Sequence, residues 1–127
     1  MFIHVMVGTD DIDAARAFYD PVLGALGIAP GVAGGPTRIG YAHEGNLFVV
    51  TVPIDGGAAS ASNGATIAFR APSREAVDAW HQAGLAHGGT TCEDPPGLRN
   101  TPLGRAYLAY LRDPAGNKLC AAYKEPV

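Results

Sequence analysis

The feature that most constrains this chain is that it runs through one pattern twice. Residues 2–8 (FIHVMVG) form an apolar run of strand length. Thr9-Asp10-Asp11 then offers N-cap side chains for a helix over about 13–26. Within it Ile12, Ala15, Phe18, Tyr19, Val22, Leu23 and Leu26 recur at three- and four-residue steps, the spacing of one buried stripe. Pro21 inside that stripe predicts a kink or an early end, because its ring removes a backbone donor. Residues 27–36 are rich in Gly and Pro, with one short strand expected around 28–32. Strands over 37–43 and 46–53 follow, joined by Glu44-Gly45, and residues 54–63 (IDGGAASASN) read as a small, polar linker.

The second pass begins with a strand over 65–71 (ATIAFRA) and a helix over about 73–87, with Ser73 as N-cap. Ala76, Val77, Trp80 and Leu85 form its expected apolar side, and Gly88-Gly89 stops it. A weak strand near 89–94 and a Pro/Gly-rich loop over 95–104 lead to a hairpin, whose turn is Asp113-Pro114-Ala115-Gly116-Asn117. At an offset of 62 His4 pairs with Thr66, Phe18 with Trp80, Leu23 with Leu85 and Gly27 with Gly89. In the later hairpins the offset becomes 71, which sets Val49 opposite Cys120. Strand–helix–strand–strand–strand therefore occurs twice. The expected fold class is α+β: two βαβββ modules, about 1–56 and 64–127, joined by the loop 54–63, whose mixed sheets wrap around a shared cleft in a single domain.

At 127 residues the chain is long enough to bury a core without disulfides. Its two cysteines lie far apart with no C-x-x-C, which points to a reducing cytoplasm. Arginines are scattered and the net charge is −3, so no nucleic-acid partner is expected. No apolar run approaches the roughly 18–20 residues needed to cross a bilayer, and no signal-peptide pattern opens the chain. Abundant Gly and Ala with few lysines match the usage of a GC-rich bacterial genome.

The chain resembles the vicinal oxygen chelate superfamily, which includes glyoxalase I, bleomycin-binding proteins, fosfomycin-resistance thiol transferases and extradiol dioxygenases. The resemblance is carried by His4-Val5, by the helix stretch Ala17-Phe18-Tyr19-Asp20-Pro21-Val22-Leu23, by Ala71-Pro72-Ser73-Arg74-Glu75-Ala76-Val77, and by Arg112 through Leu119. It implies the glyoxalase/bleomycin resistance/dioxygenase fold over nearly the whole chain. It also implies a metal held from the first and last strands of each module, which lands on His4, Val49, Thr66 and Cys120. Where family enzymes usually read G-H-I-A this chain reads Ala65-Thr66-Ile67-Ala68, and where they read K-I-E it reads Lys118-Leu119-Cys120.

A catalytic site of that kind needs about three protein ligands and an open position. Valine has no lone pair, and a threonine hydroxyl is a poor ligand beside a carboxylate, so no metal or other cofactor is expected there. The ordinary reading of His4 is a partly buried, hydrogen-bonded histidine, and that of Cys120 a small apolar packing residue. A sharper one is a His4–Cys120 pair facing one cavity, with a thiol made reactive. His43, His81 and His87 lie away from the expected cavity, and Cys92 reads as inert.

By the resemblance, Leu108 and Tyr110 face the cavity while Tyr107, Ala109 and Leu111 pack against the helix. Arg99, in the loop 95–100, would hang over the mouth. The candidate ligand-binding residues are thus His4, Thr66, Leu108, Tyr110, Cys120 and Arg99. The reading is a glyoxalase/bleomycin-resistance-like protein with a degenerate metal site that binds a small organic molecule, acts in the cytoplasm and forms a homodimer. The alternatives are a metal-dependent lyase, isomerase or dioxygenase using a displaced ligand set drawn from His43, Glu44 or Glu93, and a partner-binding module with a vestigial cavity.

Overall fold

In the computed structural model, which describes residues 1–126, the two halves of the repeat build two four-stranded mixed sheets, each with one helix. The first module consists of β1 (His4–Gly8), α1 (Ile12–Gly24), β2 (Val32–Ala33), β3 (Arg38–His43) and β4 (Asn46–Thr51), in the sheet order β1-β4-β3-β2. The second consists of β5 (Ile67–Arg70), α2 (Arg74–Ala86), β6 (Thr90–Thr101), β7 (Gly104–Arg112) and β8 (Lys118–Lys124), in the order β5-β8-β7-β6. This is the two-module α+β architecture that the repeat predicts. Residues 52–66, around the expected linker, carry neither helix nor strand.

The repeat offsets survive in the hydrogen-bond register. β1 runs parallel to β4 with Val5 opposite Phe48 and Met6 opposite Val49. β5 runs parallel to β8 with Ile67 opposite Leu119 and Ala68 opposite Cys120. Adding 62 to the first strand and 71 to the second converts one ladder into the other. Val49 and Cys120 are therefore structural equivalents.

Both helices begin at side-chain caps. Asp11 accepts hydrogen bonds from the Asp13 and Ala14 amides, and Ser73 accepts one from Ala76. α1 passes through Pro21 and ends three residues later, as expected for a helix missing one of its last backbone bonds. The Glu44-Gly45 turn has positive φ at both residues, 48° and 81°, the twist that a two-residue hairpin needs.

One hydrophobic core lies on the helix side of both sheets. Phe18, Tyr19, Val22 and Leu23 of α1 and Val77 and Trp80 of α2 meet Val50, Leu111, Leu119 and Ala121 there, all fully buried. Because side chains alternate along a strand, the same sheets turn His4, Met6, Leu47, Val49, Ala68, Leu108, Tyr110 and Cys120 away from the helices, onto what we call the far face.

The turn that opens β8 is tied into α1. Asp113 is buried and its Oδ1 accepts from the Ala115 and Asn117 amides. Its Oδ2 accepts from Asn117 Nδ2 at 2.9 Å and from the Tyr19 hydroxyl at 2.5 Å. Asn117 Nδ2 also donates to the Gly8 carbonyl at the end of β1. One buried carboxylate thus joins the α1 Phe-Tyr pair, the Asp-Pro-Ala-Gly-Asn turn and both modules.

Three expectations need correction. The stretch 95–104, read as a loop, is mostly strand: β6 continues to Thr101 through Pro95-Pro96-Gly97, with its register broken between Cys92 and Gly97. β6 is the edge of its sheet, and a bulge at an edge tolerates prolines that lack a donor. Leu85 is 44% exposed; the buried residue one turn after Trp80 is Gly84, whose missing Cβ leaves room for Leu111. The strand expected around 28–32 is only Val32–Ala33.

Candidate functional site

Five of the six candidate residues divide into two groups. Leu108 and Cys120 are buried, and with Ala106 they form a small cluster on the far face of the second sheet, against which Tyr110 and Ala122 pack. Strand pairing explains the grouping. Tyr110 of β7 stands between Cys92 of β6 and Cys120 of β8, so these side chains share one row across the sheet. His4 and Thr66 lie apart from that cluster and both are exposed, Thr66 just ahead of β5. The partly buried histidine expected at position 4 is therefore not what the fold builds: β1 is a sheet edge, and no part of the described chain covers its far face there.

Arg99 also differs from expectation. It belongs to β6, opposite Ala106, and not to a loop. Its guanidinium Nη2 donates to the Pro95 carbonyl at 2.7 Å, so the arginine braces the bulge from within.

The sequence reading missed the group that dominates this patch. Lys118 forms an ion pair with Glu93, and its ammonium lies 4.9 Å from the centroid of the Tyr110 ring, within cation–π range. Glu93 reaches Lys118 from inside the β6 bulge with φ at +59°, a backbone region that side-chain-bearing residues adopt at a cost of about 1 kcal/mol or more. Reading 95–104 as a loop hid the bulge. The one signal available beforehand was the Pro95-Pro96-Gly97 run two residues after a carboxylate.

The electrostatics of the patch favour the neutral thiol of Cys120 and the neutral phenol of Tyr110. Burial pushes the Cys120 thiol up to about 11, with the Glu93 carboxylate adding to the effect and Lys118 and a Tyr110 hydrogen bond opposing it. Burial also raises the Tyr110 phenol. The polar groups that act on Cys120 are Glu93, Lys118, Tyr110 and Arg99. His4 is not among them, and the idea of an imidazole-activated thiol finds no support in this arrangement.

The metal positions of the resembled family can be tested on donor chemistry. They hold an exposed imidazole, a valine, an exposed hydroxyl and a buried thiol, from His4, Val49, Thr66 and Cys120. That set does not fit a divalent metal with three protein ligands. A displaced set finds no support either: among the described residues no three His, Cys, Asp or Glu side chains cluster in a way that could hold an ion. Glu93 engages Lys118, while His43 lies 3.6 Å from Glu44.

Two cavities mark the seam where the edge strands β1 and β5 face each other. One, of about 300 Å³, is bounded by β1, Ser60, Ser62, Asn117 and Lys118. The other, of about 220 Å³, lies at the opposite end of β1 and reaches Tyr41, His43 and Arg70. Neither His4 nor Cys120 lines them.

The family model described as Glyoxalase/Bleomycin resistance protein/Dioxygenase superfamily matches residues 2–121. Among solved structures, a glyoxalase/bleomycin resistance protein from Albidiferax ferrireducens T118 is 52% identical, with TM-score 0.94, over 98% of this chain and 99% of that one. A lactoylglutathione lyase from Agrobacterium tumefaciens is 25% identical, with TM-score 0.66, over 97% and 92%. A glyoxalase-related enzyme from Fulvimarina pelagi, 22% identical with TM-score 0.74 over 98% and 88%, shares the fold. No protein of curated function matches the sequence.

Proposed function

Because the chain belongs to the glyoxalase/bleomycin resistance protein/dioxygenase superfamily, we propose that it uses the far face of its second sheet to bind a small organic molecule without a metal. The observation that carries this reading is the replacement at the four metal positions. Where the family plan puts ligands, this chain has one imidazole, Val49, Thr66 and a buried Cys120, beside an organised Tyr110–Lys118–Glu93 group. An aromatic wall with a cation held over it and a carboxylate beside it suits a planar organic ligand with polar substituents. Glu93 holds Lys118 in position, so a ligand need not pay to order that side chain.

The reading includes a homodimer and a reducing cytoplasm. Phe2, Ile3, Met6 and Leu47 expose apolar side chains in or next to β1 and β4, a patch that favours coverage by a second copy. Both cysteines are free thiols. No described helix is long and apolar enough to cross a membrane.

The test is a thermal-shift screen of small aromatic compounds on the wild type and on Tyr110→Ala. A ligand at a hundredfold excess over its Kd stabilises by about 2.7 kcal/mol, a readily measured shift. A compound that stabilises the wild type and loses at least tenfold in affinity with Tyr110→Ala supports the reading. Ligands whose binding is unchanged by Tyr110→Ala would remove this face from consideration.

A further inference from the structure

The smaller seam cavity is lined by none of Tyr110, Lys118 and Cys120. Its apolar wall comes from the helix-side core: Val5, Leu23, Ile28, Phe48, Ile67 and Phe69. Both modules contribute, β1 and β4 from the first and β5 from the second. Its polar lining is different in kind. Tyr41 is buried, whereas His43, Asn46 and Arg70 are exposed, so the cavity meets solvent along these three.

The wall on the α1 side is fixed before anything binds. Asp20 accepts from the Tyr41 hydroxyl at 2.6 Å and from the Gly31 amide at 3.1 Å. Arg16 pairs with the other Asp20 oxygen at 3.6 Å and donates to the Gly31 carbonyl at 3.0 Å. The loop after α1 is thereby locked to β3, and a Cβ on Gly31 would lie 2.4 Å from Ile39 and 2.7 Å from Tyr41. Tyr41 spends its proton on Asp20, so it closes the wall and leaves the polar recognition to the exposed residues.

Arg70 supplies that recognition. Among the described residues it has neither an ion-pair nor a hydrogen-bond partner, unlike Arg16 and Arg74. β5 is a sheet edge, so no strand of the second module lies between Arg70 and the seam. An unpaired guanidinium beside an apolar chamber matches a carboxylate joined to an apolar body, because the planar fork of donors fits the two carboxylate oxygens. Glu44, beside His43, disfavours a second negative charge on the ligand. The chamber, about 220 Å³, is below the roughly 300–1,000 Å³ of sites for drug-sized ligands.

We propose that the seam cavity between the two modules binds a small monocarboxylic acid carrying one ring or a short branched chain, with Arg70 holding the carboxylate and the Phe48–Ile67–Phe69 wall holding the apolar part. None of Tyr110, Lys118 and Cys120 lines this site, although Leu47 and Ala68 of the far face do, Ala68 standing beside Cys120 on the neighbouring strand. The site can exist whether or not the Tyr110, Lys118 and Cys120 group binds a ligand.

Phenylacetate and its uncharged analogue phenylacetamide are the probes, followed by backbone amide NMR on the full chain. The expected result is saturable phenylacetate binding with shifts at Ile67, Phe69 and Arg70 and none at Tyr110 or Cys120. Phenylacetamide binds about tenfold more weakly, and Arg70→Gln weakens phenylacetate by about tenfold while leaving phenylacetamide unchanged, the size expected for one charged hydrogen-bonded contact. Ile67→Phe, which fills the chamber, abolishes binding of both; if it fails to fold, Arg70→Gln on the exposed edge still decides. Absence of saturable shifts at 10 mM phenylacetate, shifts confined to the Tyr110 face, or Arg70→Gln binding as well as wild type would each overturn the proposal.

Discussion

Tyr19→Phe isolates the contact that joins the two halves of the fold. The phenol is fully buried and gives its proton to Asp113 at 2.5 Å, across 94 residues of sequence. The substitution removes one oxygen and leaves the ring, which still meets Phe18 edge-on at 4.9 Å and Phe48 at 5.2 Å. Little apolar burial is lost, so the cost is that of a hydrogen bond to a charged acceptor, about 2 kcal/mol. Asp113 keeps two backbone donors and the Asn117 amide, which holds the penalty below that of an orphaned buried charge. For a chain of this length the loss lowers Tm by about 7 °C. Urea unfolding with an unchanged m-value measures it directly. Asp113→Asn combined with Tyr19→Phe should show coupling of about 1 kcal/mol or more in a double-mutant cycle. A Tyr19→Phe loss below about 0.5 kcal/mol would refute the reasoning, because it would mean that desolvation cancels the bond.

Other expectations follow from the same contacts. Burial, then Asp113, raises the Tyr19 phenol well above its ordinary value, so the unfolded chain gives up this proton first. Stability is therefore full below about pH 10 and falls above it by up to about 1.4 kcal/mol per pH unit, a slope that alkaline urea titration should find reduced in Tyr19→Phe. Gly84→Ala adds a methyl 2.2 Å from Leu111 Cδ1, and the overpacking should outweigh the helix-propensity gain by about 1 kcal/mol of net destabilisation in thermal melts. Cys120, pushed up to about 11 and buried, should react with a thiol-specific disulfide reagent at pH 8 on the order of a hundredfold more slowly than an ordinary cysteine, with Cys92 labelled first in a mass-spectrometric time course.

Much of the fold was legible because it is written twice. The offsets of 62 and 71 reappear as hydrogen-bond register, and Asp11 and Ser73 cap the helices they precede. What the pattern could not convey was where tertiary packing departs from it. Leu85 is the repeat partner of the buried Leu23, yet it is exposed because Gly84 takes the contact with Leu111. Prolines at 95 and 96 resemble a loop in any local reading, and only the edge position of β6 makes them a bulge. The candidate site was legible in the same uneven way. Alternation along β7 and β8 brings Leu108, Tyr110 and Cys120 onto one face, with Leu108 and Tyr110 together as the family resemblance implied. Their governing partner, the Lys118–Glu93 pair, depends on a backbone angle inside the bulge that no residue pattern announces. The seam cavity depends on how two modules meet, a relation between distant elements.

The account turns on whether the far face works without a metal. The most direct measurement is metal content by mass spectrometry on untagged protein, before and after incubation with Zn, Mn, Ni or Fe(II). The donor set of His4, Val49, Thr66 and Cys120 predicts less than a stoichiometric ion in every case. About one tightly held ion per chain, lost in His4→Ala, would contradict the account and identify a metal-dependent member of the superfamily.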